Sequence, residues 1–564
     1  QSPHFESIWA CLLFKTRREV AAIQLCEDIQ KKDGAQELDR WTYVLWGFHY
    51  FNAGKFDEAC EVWKAACLAY PLDGHLYYLA ALAYRDSGNK SKAIEGFRQA
   101  IERSPRHRSA HLALGSILLD TDSTQGLLHL QKSIMLNVNN SEGWQQIVNR
   151  LHEKGLYMLA EHILQDRCGD MEKFGQCMLH IQNLVFQGRD TEARQLMPLV
   201  HESVVESISN QRMYGINLFR LGNQEESFVF LSKLVEQYPR VRENKTYLGH
   251  SMLRAGKFDP GWTYYWQGLR RWTLRFPEWQ GESLAGKALL LTQDQGMGDV
   301  IQFLPILLEV AALGPRRMVF AVSPALVNLV KFQGVPYEVV DGEKMVWDDY
   351  RFDYQVEIMA LPYLMKVDLQ HPRSSQPTLQ APENLVPEWE EYLEAEHCLK
   401  VGLVWAGGGA LGHDYLRSSQ LSEWSDLWQV EGVSFYSLQK DAPSNQAAVF
   451  HLPLHNLAAD CPTFLHTSSI IQSLDLVIAV DTAVAHLSAS LNKTTWILLS
   501  DRYTDFRWMQ GRDDCPWYPS VRLFRKRPNE AWRALLARVS DALIETYPSL
   551  SRINSHVVDD KEYN

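Results

Sequence analysis

A glycine returns through the first half of this 564-residue chain at a nearly fixed interval, and that period constrains the fold most. "GKFDEACEVW" starts at Gly54 and "GNKSKAIEGF" at Gly88, 34 residues apart. Each glycine has a small residue seven positions before it (Gly47, Ala81) and another five after it (Ala59, Ala93). A proline follows each at 17 positions (Pro71, Pro105). The register recurs at Gly155 ("GLYMLAEHIL"), Gly188 ("GRDTEARQL"), Gly222 ("GNQEESFVFL") and Gly256 ("GKFDPGWTYY"). A degenerate copy near Thr121 fills the gap, giving seven units of 33 to 34 residues, and "TRREVAAIQL" reads as an irregular earlier one. A period of this length implies stacked supersecondary units. Small residues let two helices approach closely, the glycine supports the turn between them, and the proline closes the second helix.

This pattern resembles the tetratricopeptide repeat over about residues 40 to 270. The resemblance implies an α-solenoid whose concave face holds an extended polypeptide. A spacer or an oligomerisation arm is the other role such an array can take, and association between copies is compatible with it.

A chain of this length exceeds one hydrophobic core, so two to four domains are expected. The formal net charge of -12 argues against a nonspecific nucleic-acid binder, which needs a basic footprint. Nine cysteines lie scattered with no CxxC pair and no His/Cys cluster, so reduced thiols in a cytoplasmic setting are expected. No run reaches the roughly 18 apolar residues of a membrane span. The early "IWACLLF" is short, and its basic flank "KTRR" follows it, the wrong order for a secretory signal. The chain starts at Gln1 without a methionine, which leaves room for a preceding native segment.

After "WQGLRRWTLRFPEWQGESLAGK" the pattern changes. Apolar runs such as "ALLLTQ", "RRMVFAV", "KVGLVWAG", "LDLVIAVD" and "TTWILLS" now alternate with helical stretches. Alternating β and α elements imply parallel sheets covered on both faces. The proline-rich "QHPRSSQPTLQAPENLVPEW" divides the alternation into two blocks, which suggests twin doubly wound domains facing across a cleft. Composition alone also allows a dehydrogenase or an epimerase. The expected boundaries are a repeat superhelix over 1–275, a first Rossmann-like domain over 285–385, a second with its closing helix over 395–547, and a polar tail over 548–564.

Several separated motifs in this half carry a family resemblance. "GKALLLTQDQGMGDVIQF", "VGLVWAG", "RSSQLSEW", "FYSLQK", "LDLVIAVDTAVAHLSASLNKTTWILL" and "DDCPWYPSVRLFR" together resemble the GT-B region attached to bacterial tetratricopeptide proteins. That region is similar to the ADP-heptose:lipopolysaccharide heptosyltransferases, glycosyltransferase family 9. The whole layout resembles the soluble flagellin glycosyltransferases, in which the repeats carry the acceptor protein to a GT-B domain. The resemblance implies an inverting, metal-independent transferase. It would move a sugar from a nucleotide-activated donor to a protein acceptor, flagellin first, with no cofactor beyond that substrate. The alternatives are an enzyme of envelope polysaccharide or lipopolysaccharide assembly and a non-catalytic repeat scaffold. An envelope enzyme should carry a basic or amphipathic membrane-facing patch, and none is obvious.

Four strand-to-helix turns hold the candidate residues. In "VDTAVAHLSASL", Asp481 and Thr482 are good N-cap types, and the free N–H groups beyond them favour an anion. By resemblance Asp481, Thr482, Ala483 and His486 form the donor site; the plainer alternative is a capping aspartate and a packed histidine. In "SFYSLQK", Gln439 and Lys440 follow a strand and by resemblance are donor contacts, where a lysine can neutralise a leaving diphosphate; a solvated lysine is the alternative. In "WAGGGALGHDYLRS", Gly407 and Gly408 permit close approach of a ligand. Gly408 and Gly409 stand where related proteins have Asn-Pro, while Asp414, Arg417 and Ser418 keep the family spacing, Arg417 as a phosphate or carboxylate contact.

The fourth turn is "LLLTQDQGMGDVIQFLP". Gly296 and Gly298 tighten it, and Asp299 opens the following helix. The resemblance implies that Asp299 is the base deprotonating the acceptor hydroxyl, with Gly298 beside the donor and Asp294 a weaker second candidate. An N-cap aspartate without chemistry is the alternative. No metal site is apparent; His413 and Asp414 are adjacent but isolated. "DDCPWYPSVRLFR" either walls the cleft or packs in the core, and "NEAWRALLARVSDALIETY" has helical spacing.

Overall fold

The computed structural model describes residues 9–10, 12–14, 19–31, 38–52, 54–119, 122–136, 147–148, 151–152, 156–168, 174–201, 208–269, 274–345, 350–368, 378–382, 398–408, 417–440, 442–444, 446, 454–457, 461–500, 504–527 and 530–552. Gly155, Gly409, His413, Asp414, most of the proline-rich joint and the end of the polar tail lie outside the described residues. Two compact units divide the chain, Gln1–Leu151 and His152–Asn564, so the division falls inside the repeat array, between two consecutive helical residues.

The first unit contains the helix pairs Arg40–Asn52 with Phe56–Ala69, Gly74–Asp86 with Lys90–Arg103, and Arg108–Leu118 with Ser123–Met135. Helix Glu19–Lys31 precedes them, where the irregular early copy was expected. The periodic residues act as their spacing implies. Gly54 and Gly88 sit in the left-handed region, at φ 73° and 85°, where a side chain would be strained. A Cβ on Gly47 would lie 2.2 Å from the Trp63 indole nitrogen, so only glycine admits that ring. Ala59, Ala81 and Ala93 are fully buried. The second helices end at Tyr70 and Ser104, each directly before a periodic proline, which pushes the preceding residue out of helical geometry.

In the second unit the repeat continues through Tyr157–Cys168, Phe174–Gln187, Asp190–His201, Ile208–Arg220 and Gln224–Gln237. It closes with α1 (Arg242–Arg254) and α2 (Phe258–Gly268). Gly188, Gly222 and Gly256 again have φ between 78° and 90°.

Two parallel sheets follow. The first comprises β1 (Ala288–Thr292), β2 (Arg317–Val322), β3 (Glu338–Asp341) and β4 (Tyr354–Glu357), in the order β3-β2-β1-β4. The second comprises β5 (Leu399–Val404), β6 (Val433–Ser437), β7 (Leu454–Asn456), β8 (Leu476–Val480), β9 (Thr495–Leu499) and β10 (Val521–Arg525). Its order, β10-β9-β8-β5-β6-β7, is that of a Rossmann sheet, and the first sheet follows the first four strands of the same plan. Their central strands read as unbroken apolar runs because helices cover both faces. Leu290 pairs with Val319 on one side and Gln355 on the other, and Gly402 with Tyr436 and Val477.

Strand order reverses between β1 and β4 in one sheet and between β5 and β8 in the other, and crevices open outside the carboxyl ends at such points. Helix α3 (Met297–Ala312) leaves β1, α4 (Pro324–Phe332) leaves β2, α5 (Phe464–Ser473) leads into β8, and α6 (Ala483–Ser490) leaves it. One apolar core runs from α1 and α2 through the first sheet into the second, taking in Trp262, Phe303, Leu487 and Phe506. Within the joint, Thr378 and Leu379 donate their amides to the Ser490 carbonyl, and Gln380 exchanges hydrogen bonds with Gln333. Helix α7 (Trp532–Thr546) covers the second sheet, and Ser551 and Arg552, within the segment read as a polar tail, pair antiparallel with Glu431 and Val430.

Candidate functional site

The first turn is anchored before it reaches Asp299. Gln293 donates its amide to the Ala321 carbonyl, and its side-chain oxygen accepts from the Ser323 amide at 3.0 Å. Asp294 accepts from the Met359 amide at 3.3 Å, at the carboxyl ends of β1 and β4. Burial, and then the charge of Glu357, pushes its carboxyl up to about 7. Gly296 is the N-cap of α3, so Asp299 is the third helical residue and not the cap. A carboxylate there lies in the favourable field of the helix N-terminus. Burial raises the Asp299 carboxyl, and the neighbouring Arg507 charge offsets part of that rise.

At the second reversal, Thr482 is the N-cap of α6 but donates its hydroxyl to the Val480 carbonyl at 3.1 Å. It makes no side-chain cap bond, so the first amides of α6 are left without that partner. Arg417 reaches across from beyond β5 and donates to the Asp481 carbonyl at 2.7 Å. Ser418 accepts from the Gly407 amide at 3.0 Å, and Gly408 is exposed. Burial pushes the Asp481 carboxyl up to about 6 against the pull of Arg417.

The two turns meet. A Cβ on Gly298 would lie 2.8 Å from the His486 ring and 3.6 Å from the Ala483 Cα, so the glycine is what lets α3 and α6 touch. His486 stacks on Trp508 at 5.0 Å between ring centres, and its Nδ1 lies 3.0 Å from the Tyr518 hydroxyl. Burial, with Arg507 adding to it, pulls its imidazole down to about 3. It is therefore neutral near pH 7, and its 3.9 Å approach to Asp481 is no ion pair.

Gln439 and Lys440 face other partners. The Gln439 side chain is buried, accepts from the Trp405 and Ala406 amides, and donates to the Ala406 and Lys440 carbonyls. Those bonds tie the ends of β5 and β6 together. Lys440 donates to the Cys461 carbonyl at 2.9 Å and lies 5.1 Å above the Phe464 ring.

Sequence reasoning missed the residue that joins the cluster. Arg507, 4% exposed, donates to Asp299, to Gln302 and, at 2.8 Å, to Asp505. Burial works to lower its guanidinium, but Asp505 and Asp299 overcome this and hold it above its ordinary value. Burial likewise works to raise Asp505, and Arg507 prevails, keeping that carboxyl at about 2. The one local signal was a charged "DFRW" beyond the carboxyl end of a strand. Chemically, the cluster offers a partly exposed carboxylate on one sheet and, across from it, an uncapped helix start beside Arg417. Among the described residues, no three His, Cys, Asp or Glu side chains are grouped to hold a metal, and no helix is long and apolar enough to cross a membrane.

A tetratricopeptide-repeat family model matches residues 45–96 and 78–126. Protein FlbA of Caulobacter vibrioides is 26% identical over 327 residues, covering 52% of this chain and 53% of that protein. The chain thus spans about half the length of the curated relative it matches. Among solved structures, the C-terminal part of a repeat-containing protein from Cytophaga hutchinsonii aligns at 12% identity with a TM-score of 0.32, covering 43% of this chain and 99% of that one. A tetratricopeptide repeat protein from Parabacteroides merdae aligns at 16% identity with a TM-score of 0.33, covering 44% and 99%. The helical repeats over residues 45–126 are of the tetratricopeptide type.

Proposed function

We propose that the protein is an inverting GT-B glycosyltransferase that moves a sugar from a nucleotide-activated donor to a protein acceptor presented by its repeats. The observation that carries the proposal is the meeting of the Gly298–Asp299 turn with the Asp481–His486 helix start, each at the reversal point of its own sheet. An inverting transfer needs a carboxylate on the acceptor face and positive field on the leaving-group face. Asp299 would take the proton of the acceptor hydroxyl as its oxygen bonds the anomeric carbon. The bond from that carbon to the donor phosphate breaks, and the phosphate leaves with the electron pair. The α6 amides and Arg417 would meet the developing negative charge. Lys440 would join them only by leaving the Cys461 carbonyl, and Gln439 would act by shaping the turn. Tetratricopeptide repeats suit protein partners, and flagellin is the acceptor proposed on resemblance.

The test is a melting-temperature screen against a panel of nucleotides, since a ligand that binds the folded state alone raises that temperature. Intact-mass analysis of flagellin incubated with the protein and nucleotide sugars accompanies it. A nucleotide-specific rise and an added sugar mass are the expected results. No shift with any nucleotide and unmodified flagellin would overturn the proposal.

A further inference from the structure

We infer that the last repeat is a working part of this site, and that Phe506 is a positioning residue through which α1 and α2 set Arg507 on Asp299. Phe506, Arg507 and Trp508 form a single 3-10 turn. At three residues per turn, consecutive side chains point about 120° apart and reach three different neighbours. The Phe506 ring enters the repeat, with its centre 5.8 Å from His250, 5.3 Å from Trp262 and 5.8 Å from Tyr265, all edge-on. Arg507 points to Asp299 and Gln302 on α3. Trp508 lies on His486 of α6.

The turn is fixed at both ends. Asp505 accepts from the Arg507 amide at 3.0 Å, and Met509 leaves in the left-handed region at φ 51°. A Cβ on Gly256 would come within 2.9 Å of the Met509 methyl, so the glycine turn between α1 and α2 also abuts this exit. Burial pushes His250 down to about 4, which keeps it a neutral ring against Phe506. A displacement of α1 and α2 must therefore move Phe506, and the neighbouring guanidinium with it. The consequence for transfer rests on the glycosyltransferase reading; the mechanical link does not.

The experiment uses the full chain and compares Phe506→Leu and Phe506→Tyr, each alone and with Arg507→Met. The readouts are amide hydrogen exchange over residues 297–302 and the acid limb of the pH profile of transfer. Phe506→Leu should raise that exchange about tenfold, a local loosening, and add nothing once Arg507 is methionine. Its acid limb should move up by about one pH unit, because the charge opposing protonation of Asp299 is weakened. Phe506→Tyr keeps the ring and should restore both. His250→Ala removes one ring of the three and gives the same readouts if Phe506→Leu does not fold. Unchanged exchange, or an equal effect in the Arg507→Met background, would overturn the inference. If the wild type transfers no sugar, the glycosyltransferase reading fails while the exchange measurement still decides the link.

Discussion

Asp299 and Arg507, 208 residues apart, form an ion pair that joins the first helix of one sheet to the loop beyond β9 of the other. Removing one partner of a buried pair strands the other charge at a cost of about 3–5 kcal/mol. Arg507→Met would strand both Asp299 and Asp505. Denaturant unfolding should register a loss of that order, and a change below about 1 kcal/mol would contradict a structural role for the pair.

The repeat and the alternation of strand and helix were legible because each rests on local constraints. A glycine at φ 73° or 85° and a position with no room for a Cβ are needs one residue must meet alone. The turns bearing Asp299 and Asp481 were legible for the same reason, as polar residues between an apolar strand and a helix. Partners were not. Nothing in "DFRW" announces that Arg507 meets Asp299, since a 3-10 turn has no sequence period and its contacts are long-range. The aromatic residues of "GKFDPGWTYYWQG" read as repeat positions, but that Trp262 and Tyr265 grip Phe506 is a tertiary fact. Gln439 was read as a ligand contact because it follows a strand; its amide is instead shared among backbone groups.

His486 gives a pH signature. Its folded value is about 3 against an ordinary 6.5, so the unfolded chain takes the proton first. The stability it contributes is complete above pH 6.5 and is lost as pH falls toward 3. Asp481, raised to about 6, acts in the opposite sense, and its contribution is lost as pH rises through that value. His486→Gln should therefore flatten the fall of melting temperature between pH 6.5 and 4. Parallel curves for wild type and variant would contradict the assignment.

Gly298 is the contact between α3 and α6. Alanine there would press its Cβ to 2.8 Å from an imidazole held by Trp508 and Tyr518, so the ring cannot retreat freely. Overpacking of this kind costs about 1–3 kcal/mol. A Gly298→Ala protein that unfolds at the wild-type denaturant concentration would show that the helices are not in close contact.

Where the chain is cut should matter. Removing residues 1–151 takes away one compact unit and should leave 152–564 folded and able to bind nucleotide, with modification of a folded acceptor reduced. Removing residues 1–260 also deletes α1 and Phe258 from the shared core and should abolish cooperative unfolding. Calorimetric scans of both fragments check this. A fragment beginning at residue 261 that melts like the wild type would refute the fused-repeat arrangement.

Asp299 bears the central claim, that its turn performs chemistry. General-base assistance is typically worth about 10²–10⁴-fold in rate. Asp299→Asn keeps the side-chain shape and the hydrogen-bonding capacity toward Arg507, but cannot take a proton at neutral pH. The deciding measurement is the initial rate of sugar transfer to the acceptor at saturating donor, wild type against Asp299→Asn, with melting temperature as the folding control. Asp299→Asn should fold, still bind nucleotide and transfer slower by that factor. A folded variant with turnover within a few fold of wild type would contradict the claim and leave Asp299 as one half of a structural ion pair.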